Sequence, residues 1–321
     1  MPRSTEHRFC YSARTSPWPD GKRFAFTIFD DPDAQDEAQS RLVYGFLADL
    51  GFRTTKGVWP IEGSTERNSG GDTLESPSYR RHCQELLAQG FDLGFHNAAP
   101  ASVLREEART ALDRYREYFG RDPQTMANHY NVDAMYWGPA RFDRPWRWVY
   151  QVLTRGKTTN KHFGHVEGHP SFWGDLCRER IRSCRNFVFR DIDTLATCPQ
   201  MPYYDPNRPF VNEWFASTEG ANWGLFREAL DEKNQDRLLE SGGACIMYTH
   251  LGHGFVRTDG SLEPRFVELM TRLSRLGGWF VPVADLMGRL RAASGPHVLT
   301  RDERRRLECR WMTEKLLRGT S

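Results

Sequence analysis

Two adjacent carboxylates, Asp30 and Asp31, stand at the end of an apolar run in the sequence. The run, Phe24–Phe29, has the length and the β-branched and aromatic content of a buried strand. Because the active sites of α/β sheets and barrels form at the carboxyl ends of their strands, we predict that the pair is functional. The alternative is that these carboxylates cap the helix that follows, since Asp is a favoured N-cap residue. We expect that capping role for Asp33, which follows Pro32.

Further polar side chains follow the other predicted strands. The predicted strand ends carry Asp30, Asp31, His96, Asn97, His129, Asn131, Asp191, Asp193, Asn212, Glu213, His250 and His253. In a barrel, all of these residues would face one mouth. A carboxylate with two imidazoles forms a site for a divalent metal such as zinc, which lowers the pKa of a bound water and polarises a carbonyl oxygen. A second Asp could then act as general base, and a His from the opposite wall as general acid.

Each histidine also has a structural alternative. A single His at a strand end is more often a hydrogen-bonded structural residue than a metal ligand, and this holds for His96 and His129 taken alone. His250 and His253 lie in the segment Thr249–Gly254, in which the glycines would serve an ordinary turn equally well. Three histidines of an irregular loop are predicted to lie at the surface: His162, His165 and His169.

Strands and helices alternate along the chain, which predicts a parallel sheet with helical crossovers. Seven or eight predicted strands without a glycine-rich nucleotide-binding motif favour a barrel over an open, doubly wound sheet. We predict a polar lead-in over residues 1–22, an α/β barrel over 23–291 and a helical extension over 292–321. The barrel is predicted to carry an irregular insertion at about 139–209, and the last helix is predicted at about Arg301–Arg318.

The composition is that of an ordinary globular protein. The 321 residues are 39% hydrophobic and 27% charged, with a net charge of +2. No basic run lies on an aromatic-rich segment, so nucleic acid is not an expected partner. Ten Trp, eleven Tyr and twenty Phe form a high aromatic load, which is compatible with stacking on sugar rings. The seven cysteines are scattered and contain no C-x-x-C, which fits free thiols in a reducing compartment.

The sequence contains no segment typical of a signal peptide or a membrane span. Residues Met1–Arg23 are polar and lack the apolar core of a leader. No apolar run approaches the ~20 residues that a transmembrane helix needs. We therefore expect a cytoplasmic protein without a transmembrane segment, and the sequence does not indicate its oligomeric state.

Three segments resemble motifs of the polysaccharide deacetylase family, also called the NodB homology family or carbohydrate esterase family 4. Phe26–Asp31 is similar to the first motif, T-F-D-D-G-P, and Phe91–Asn97 is similar to the second, E-I-G-N-H-(S/T)-x-x-H. Ile246–His250 is similar to the fifth motif, in which apolar residues alternate up to a His. The resemblance covers roughly Phe24–Leu290 and implies a distorted (β/α) barrel of about seven strands.

The resemblance also implies roles for the residues at matching positions. Asp30 would be the general base and His250 the catalytic acid. Asp31 and His96 would be metal ligands. The metal would be a divalent ion, usually zinc, and the substrate an N- or O-acetylated sugar.

The sequence departs from the family's motifs in three places. Pro32 replaces the glycine after the Asp pair, and Pro100 stands where the second metal histidine is expected. The third motif, R-P-x-G, is absent after the fourth strand, where Asn128–Asn131 stands instead. We predict that His129 in this segment replaces the lost ligand. The predicted metal ligands are therefore Asp31, His96 and His129.

The sequence thus predicts a metal-dependent deacetylase that acts on an acetylated sugar, in a cytoplasmic step of surface polysaccharide synthesis. The predicted substrate-binding residues are Asn97, Asn131, Trp173, Asp191, Asp193 and His253. Two alternatives remain open: a catalytically inactive glycan-binding or scaffolding protein on the same barrel, and a hydrolase of a non-sugar C–N bond. Convergence of His96 and His129 on Asp31 would distinguish the enzyme from the inactive protein.

Overall fold

A computed structural model describes residues 17–319 of the chain, so most of the predicted lead-in 1–22 lies outside the described residues. The strands of this part are β1 (Ala25–Asp30), β2 (Thr55–Val58), β3 (Asp92–Phe95), β4 (Thr125–Met126), β5 (Ser183–Phe189), β6 (Tyr203–Tyr204), β7 (Glu213–Glu219), β8 (Ala244–Thr249), β9 (Trp279–Phe280) and β10 (His297–Val298). The α-helices are α1 (Glu37–Asp49), α2 (Pro77–Ala88), α3 (Arg105–Phe119), α4 (Trp146–Leu153), α5 (Gly174–Arg180), α6 (Thr194–Thr197), α7 (Trp223–Ala229), α8 (Glu232–Ser241), α9 (Pro264–Ser274), α10 (Val283–Ser294) and α11 (Arg301–Arg318).

Seven of the strands close into a barrel. Their order around it is β1, β2, β3, β4, β5, β7 and β8, and β8 pairs with β1 to close the ring. All neighbouring pairs in this ring are parallel, so the carboxyl ends of the strands lie at one edge. The predicted (β/α) barrel of about seven strands is therefore confirmed.

The short strands and the last helix extend the barrel. β6 pairs antiparallel with β7, β10 pairs with β6, and β9 pairs with the start of β1. Residues 139–209, which the sequence predicts as an insertion, include β5, so one strand of the ring itself lies in this range. The predicted terminal helix is confirmed as α11, and its Trp311 packs against Phe142 and Phe187 with ring centroids 5.2 and 6.3 Å apart.

Side chains of β1 alternate between two faces, as the two-residue period of a strand requires. Phe26 and Ile28 pack in a cluster that contains residues of α1. Phe29 belongs to the other cluster and lies 6.2 Å from the ring of Phe215 on β7, a strand that does not neighbour β1. Phe29 therefore faces the barrel interior. Asp30 continues the outer face, whereas Asp31, whose backbone N–H still donates to Thr249, continues the inner one.

The loop between β1 and α1 ends at a capping residue that is not Asp33. The carboxylate of Asp36 accepts a hydrogen bond from the backbone N–H of Gln39 at 2.8 Å, and the Gln39 side chain bonds back to the N–H of Asp36. This reciprocal pair is a capping box. The predicted capping role of Asp33 is therefore wrong, and its carboxylate is available for other contacts.

The helices and the cysteines of residues 17–319 can be compared with the sequence predictions. None of their helices is both long and apolar enough to span a bilayer. All six cysteines in this range are free thiols, and only Cys309 is exposed.

Candidate metal centre

Among the described residues, one group of three side chains could hold a metal ion: Asp33, His96 and His129. One ligand atom from each lies within 4.8 Å of the other two. Asp33 lies in the loop after β1, His96 follows β3 directly, and His129 lies in the loop after β4. The parallel barrel thus brings three distant parts of the chain together at the carboxyl ends of its strands.

The three side chains approach one another closely in a buried site. Asp33 Oδ2 lies 3.4 Å from His96 Nε2, and Asp33 Oδ1 lies 3.5 Å from His129 Nδ1. Buried polar atoms normally have hydrogen-bond partners, but Asp33 Oδ2 has none, and neither has His96 Nδ1 on the side of the ring that faces Asp31. Imidazole nitrogens and carboxylate oxygens are ligands of zinc and of similar divalent ions. The donor set therefore fits such an ion.

Two asparagines orient the ring of His129. Its Nε2 lies 2.6 Å from Asn68 Oδ1, and Asn68 Nδ2 donates to Asn131 Oδ1 at 2.8 Å. Because the amide nitrogen of Asn68 is engaged by Asn131, its oxygen faces the ring and accepts a hydrogen bond from Nε2. The Nδ1 atom then keeps its lone pair, directed towards Asp33. This is the arrangement by which an outer hydrogen bond fixes the tautomer of a metal-binding histidine.

The electrostatics of the group favour its metal-binding protonation state. Burial lowers the pKa of His129 to about 4, and the neighbouring His96 acts in the same direction. Burial by itself would raise the pKa of Asp33, but the close approach of His96, together with the charges of His129 and His250, holds that pKa well below its ordinary value. Near neutral pH, Asp33 is therefore a carboxylate and His129 a neutral imidazole, the forms that bind cations.

Asp31 lies beside this group in an ion pair. Its two oxygens accept hydrogen bonds from Arg185 of β5, at 2.9 Å from Nη1 and 2.5 Å from Nη2. Asp31 Oδ1 also lies 3.6 Å from His96 Nδ1, and Oδ2 lies 4.0 Å from His250 Nε2. The sequence predicts Asp31 as the carboxylate ligand, whereas the structure brings Asp33 between the two histidines.

Asp30 points out of the barrel and is fully buried. Its Oδ2 accepts a hydrogen bond from the Tyr44 hydroxyl at 3.0 Å and lies 3.6 Å from Lys56 Nζ, and its Oδ1 accepts from the backbone N–H of Leu251 at 2.8 Å. Burial raises the pKa of Asp30, although the charge of Lys56 opposes the shift. Among the described residues, no hydrogen bond or ion pair joins Asp30 to the three potential ligands. Its contacts instead fix the residue that follows His250.

His250 stands on the β8 side of the group. Its Nδ1 lies 2.6 Å from the carbonyl oxygen of Ala221 and donates to it. Its Nε2 lies 3.6 Å from Asp33 Oδ2, 4.0 Å from Asp31 Oδ2 and 3.5 Å from the hydroxyl of Tyr248. A ring nitrogen that can carry or release a proton thus lies beside both carboxylates.

Three predicted substrate-binding residues are buried parts of the scaffold. Asn97 donates to Asp133 Oδ2 at 2.7 Å and accepts from the backbone N–H of His129 at 2.8 Å. Trp173 is 1% exposed and donates from Nε1 to the carbonyl oxygen of Asp133. Asn131 is 1% exposed and, besides its bond to Asn68, donates to two backbone carbonyl groups. These residues support the loop that carries His129.

The other three predicted substrate-binding residues differ in their placement. Asp191 pairs with Arg237 at 3.3 Å. Asp193 caps α6 and also accepts a hydrogen bond from the backbone N–H of Ala244, at the start of β8. His253 is exposed, and its ring centroid lies 5.3 Å from that of His250. Of these three, only His253 is brought next to a residue of the site.

Sequence reasoning did not assign three residues that the structure brings to the site: Asp33, Asn68 and Arg185. Arg185 could have been predicted as one half of an ion pair. It lies in the buried strand Ser183–Phe189, and a buried cation needs an anionic partner. Asn68 lies in the long loop 61–75, where no local pattern marks one polar residue among many.

No protein-family model and no curated protein sequence matches the chain. Solved structures with a similar fold include a Mycobacterium smegmatis protein described as a polysaccharide deacetylase, at 12% identity and a TM-score of 0.49, covering 88% of this chain and 96% of that one. PuuE allantoinase matches at 13% identity and a TM-score of 0.49, covering 92% and 98%. Peptidoglycan deacetylase PdaC from Bacillus subtilis matches at 12% identity and a TM-score of 0.38, covering 84% and 93%.

The fold and the site together form a (β/α) barrel of seven parallel strands with a group of three potential metal ligands at the carboxyl ends of its strands. At these identities and TM-scores the likeness concerns the fold alone. The function proposed for the chain is based on the residues of the site and on the sequence motifs.

Proposed function

We propose that the protein is a metal-dependent hydrolase that removes an acetyl group from a carbohydrate. The observation that supports this most directly is the group Asp33, His96 and His129, in which the buried Asp33 Oδ2 has no hydrogen-bond partner, beside Asp31 and His250. A zinc ion held there would lower the pKa of a water molecule and polarise the carbonyl oxygen of the acetyl group.

We assign the three ligands to Asp33, His96 and His129, with Asp33 in place of the predicted Asp31. Asp33 is the carboxylate that lies nearest to both imidazoles, at 3.4 and 3.5 Å, whereas the Asp31 carboxylate is turned towards Arg185. Three protein ligands of this kind leave room for water and substrate, as catalytic zinc sites require. Zinc is the ion we infer from the mixed nitrogen and oxygen ligands.

We assign the general base to Asp31 in place of the predicted Asp30. The bidentate contact with Arg185 holds the Asp31 carboxylate in one orientation. Its oxygens lie 3.6 Å from His96 Nδ1 and 4.0 Å from His250 Nε2, so Asp31 would be placed to contact a water held at the ligand group. Asp31 would take a proton from that water as it attacks the acetyl carbon.

His250 would act as the general acid. Its Nδ1–H is held by the carbonyl oxygen of Ala221, so that Nε2 is the atom facing the site. In the protonated ring, Nε2 would donate to the leaving nitrogen or oxygen of the sugar. The carboxylates of Asp31 and Asp33 lie 4.0 and 3.6 Å from that nitrogen.

An acetylated sugar is the substrate that we infer from the motif resemblance of Phe26–Asp31, Phe91–Asn97 and Ile246–His250. The cytoplasmic location of the protein and its role in surface polysaccharide synthesis remain predictions from the sequence. A hydrolase of a non-sugar C–N bond would use the same base and acid, and the assay below separates the two.

Metal content and acetate release from the purified chain test this proposal. We expect about one equivalent of zinc, and EDTA-sensitive release of acetate from N-acetylated oligosaccharides or from 4-nitrophenyl acetate. Asp33→Ala and His129→Ala should lose the zinc. The matched control Asp191→Ala removes a carboxylate that pairs with Arg237 and should keep it.

Two results would count against the proposal. Full zinc occupancy in both Asp33→Ala and His129→Ala would place the ion elsewhere. A zinc-loaded protein that hydrolyses amides such as ureides but no acetylated sugar would support the non-sugar alternative instead.

A further inference from the structure

A cavity of about 190 Å³ lies between α4 and the loop 158–166. His162 in its wall donates from Nδ1 to the carbonyl oxygen of Asn131 at 2.7 Å. The side chain of the same Asn131 accepts a hydrogen bond from Asn68, the partner of His129. The cavity and the candidate metal centre therefore contact opposite ends of one short segment, 129–131. None of the three potential metal ligands lines the cavity.

The wall of the cavity contains two buried polar atoms without hydrogen-bond partners. His162 is 7% exposed, so its predicted surface position is wrong. Burial lowers the pKa of His162, and the charges of Arg141 and Lys161 add to the shift, so the ring is neutral at neutral pH. Because Nδ1 carries the proton, Nε2 presents a lone pair, and it is unpaired, as is Thr158 Oγ1. Hydroxyl groups of a ligand could satisfy the two atoms.

The cavity is also surrounded by positive charge that the described residues do not neutralise. Arg147 and Lys161 line it. Arg141 is 4% exposed and stacks on the cavity residue Trp137 at 3.7 Å from the ring centroid. Within residues 17–319, none of these three cations has a carboxylate oxygen within 4.0 Å. Unpaired cations around a small cavity favour an anionic ligand.

We propose that this cavity binds an anionic sugar unit, a pyranose that carries a carboxylate or a phosphate group. A hydroxyl of the ring donates to His162 Nε2, a second hydroxyl bonds Thr158, and the anionic group pairs with Lys161 and Arg147. Trp137 supplies an apolar wall for the ring. The proposal rests on the proposed function only in taking this unit to be part of the carbohydrate substrate, because binding itself does not require the metal.

Titration calorimetry with the full chain tests the ligand class. The probes are glucuronate, glucose 6-phosphate, glucose and inorganic phosphate, each with and without EDTA. We expect both anionic sugars to bind at least about tenfold more tightly than glucose or inorganic phosphate, since a charge-assisted contact contributes about 1.5–3 kcal/mol. Binding should survive EDTA, so failure of the metal proposal would leave this result unchanged.

Matched variants in the loop test the location. Lys161→Gln should weaken both anionic sugars about fivefold and leave glucose unchanged, because an exposed ion pair contributes up to about 1 kcal/mol. Lys157→Gln removes the same charge from the same loop, outside the cavity wall, and should have no effect. Thr158→Val keeps the shape of the side chain and should weaken all three sugars. Thermal unfolding checks that each variant is folded.

Several outcomes would overturn the proposal. If neither anionic sugar binds, the cavity is not a sugar-binding site. If inorganic phosphate and glucose 6-phosphate bind with equal affinity, the cavity recognises an anion and not a sugar. Equal effects of Lys161→Gln and Lys157→Gln would place the binding outside the cavity.

Discussion

The two neighbouring carboxylates of β1 should respond differently to the same substitution. Asp30→Asn removes the negative charge beside Lys56, whose side chain is fully buried with that of Asp30 at 3.6 Å. Breaking a buried ion pair leaves an unpaired charge and costs about 3–5 kcal/mol. Asp31→Asn breaks the equally buried pair with Arg185, so a comparable loss of stability is expected. Stability alone therefore does not distinguish the two residues.

Catalysis does distinguish them. Loss of a general base costs about 10²–10⁴-fold in rate, so Asp31→Asn should lose that much in kcat while keeping its zinc. Asp30→Asn should keep kcat within about tenfold, because Asp30 only fixes the backbone of Leu251 next to His250. The assay is acetate release per folded molecule, well below the unfolding temperature, with folded fraction taken from urea unfolding.

A double variant separates the effect of the unpaired cation from the effect on activity. Asp30→Asn combined with Lys56→Met removes the unpaired cation, so part of the free energy of unfolding lost in Asp30→Asn should be regained, while kcat should equal that of Asp30→Asn. The roles assigned above would be refuted by a folded, zinc-loaded Asp30→Asn protein without activity alongside an active Asp31→Asn protein.

Three further changes have expected outcomes. His250→Gln should keep its zinc and lose about 10²–10⁴-fold in kcat, since it removes the proton donor; an active variant would exclude His250 as the acid. Asn68→Ala should weaken zinc binding by about 10–100-fold, measured by competition with a chelator, because it frees the His129 ring; unchanged affinity would show that Asn68 is dispensable. Burial lowers the pKa of His82 from 6.5 to about 4. Between these two pH values the unfolded chain binds a proton at His82 and the folded chain does not, so the free energy of unfolding decreases as the pH falls from about 6.5 to 4. His82→Phe should flatten that fall in urea unfolding, and parallel pH profiles would contradict the shift.

The sequence predicted the barrel because its signals are local. The apolar runs of β1, β3 and β8, each ending in polar residues, occur with helices between them, and a parallel ring follows from that alternation. Strand limits were less accurate. The sequence predicts Glu213 at the carboxyl end of a strand, but β7 begins at Glu213 and runs to Glu219, so Glu213 lies at the opposite edge and pairs with Arg291.

The site was predicted in part, and the difference follows from strand geometry. Side chains of neighbouring residues on a strand point to opposite faces, and in this structure Asp30 and Asp31 make contacts on different sides of the barrel wall. Asp31 faces the interior with Phe29, and Asp30 packs outside against Tyr44. The carboxylate between the two histidines belongs to Asp33. This residue lies in the loop after β1, where the two-residue alternation of a strand no longer determines the direction of a side chain.

His96 and His129 lie together because β3 and β4 are adjacent and parallel, which the sequence order of the barrel predicts. The scaffold roles of Asn97, Asn131 and Trp173 depend on backbone groups that converge only in the folded chain. No local pattern separates such residues from substrate ligands, since both are polar side chains at strand ends.

The most direct test of the metal centre is a crystal structure of the zinc-loaded protein with anomalous diffraction recorded at the zinc edge. We expect a single strong peak with an oxygen of Asp33 and nitrogens of His96 and His129 at about 2.0–2.2 Å, the usual range for zinc. Asp31 should remain on Arg185. A peak bound by Asp31 without Asp33, or no peak between the two histidines, would contradict the site proposed for this protein.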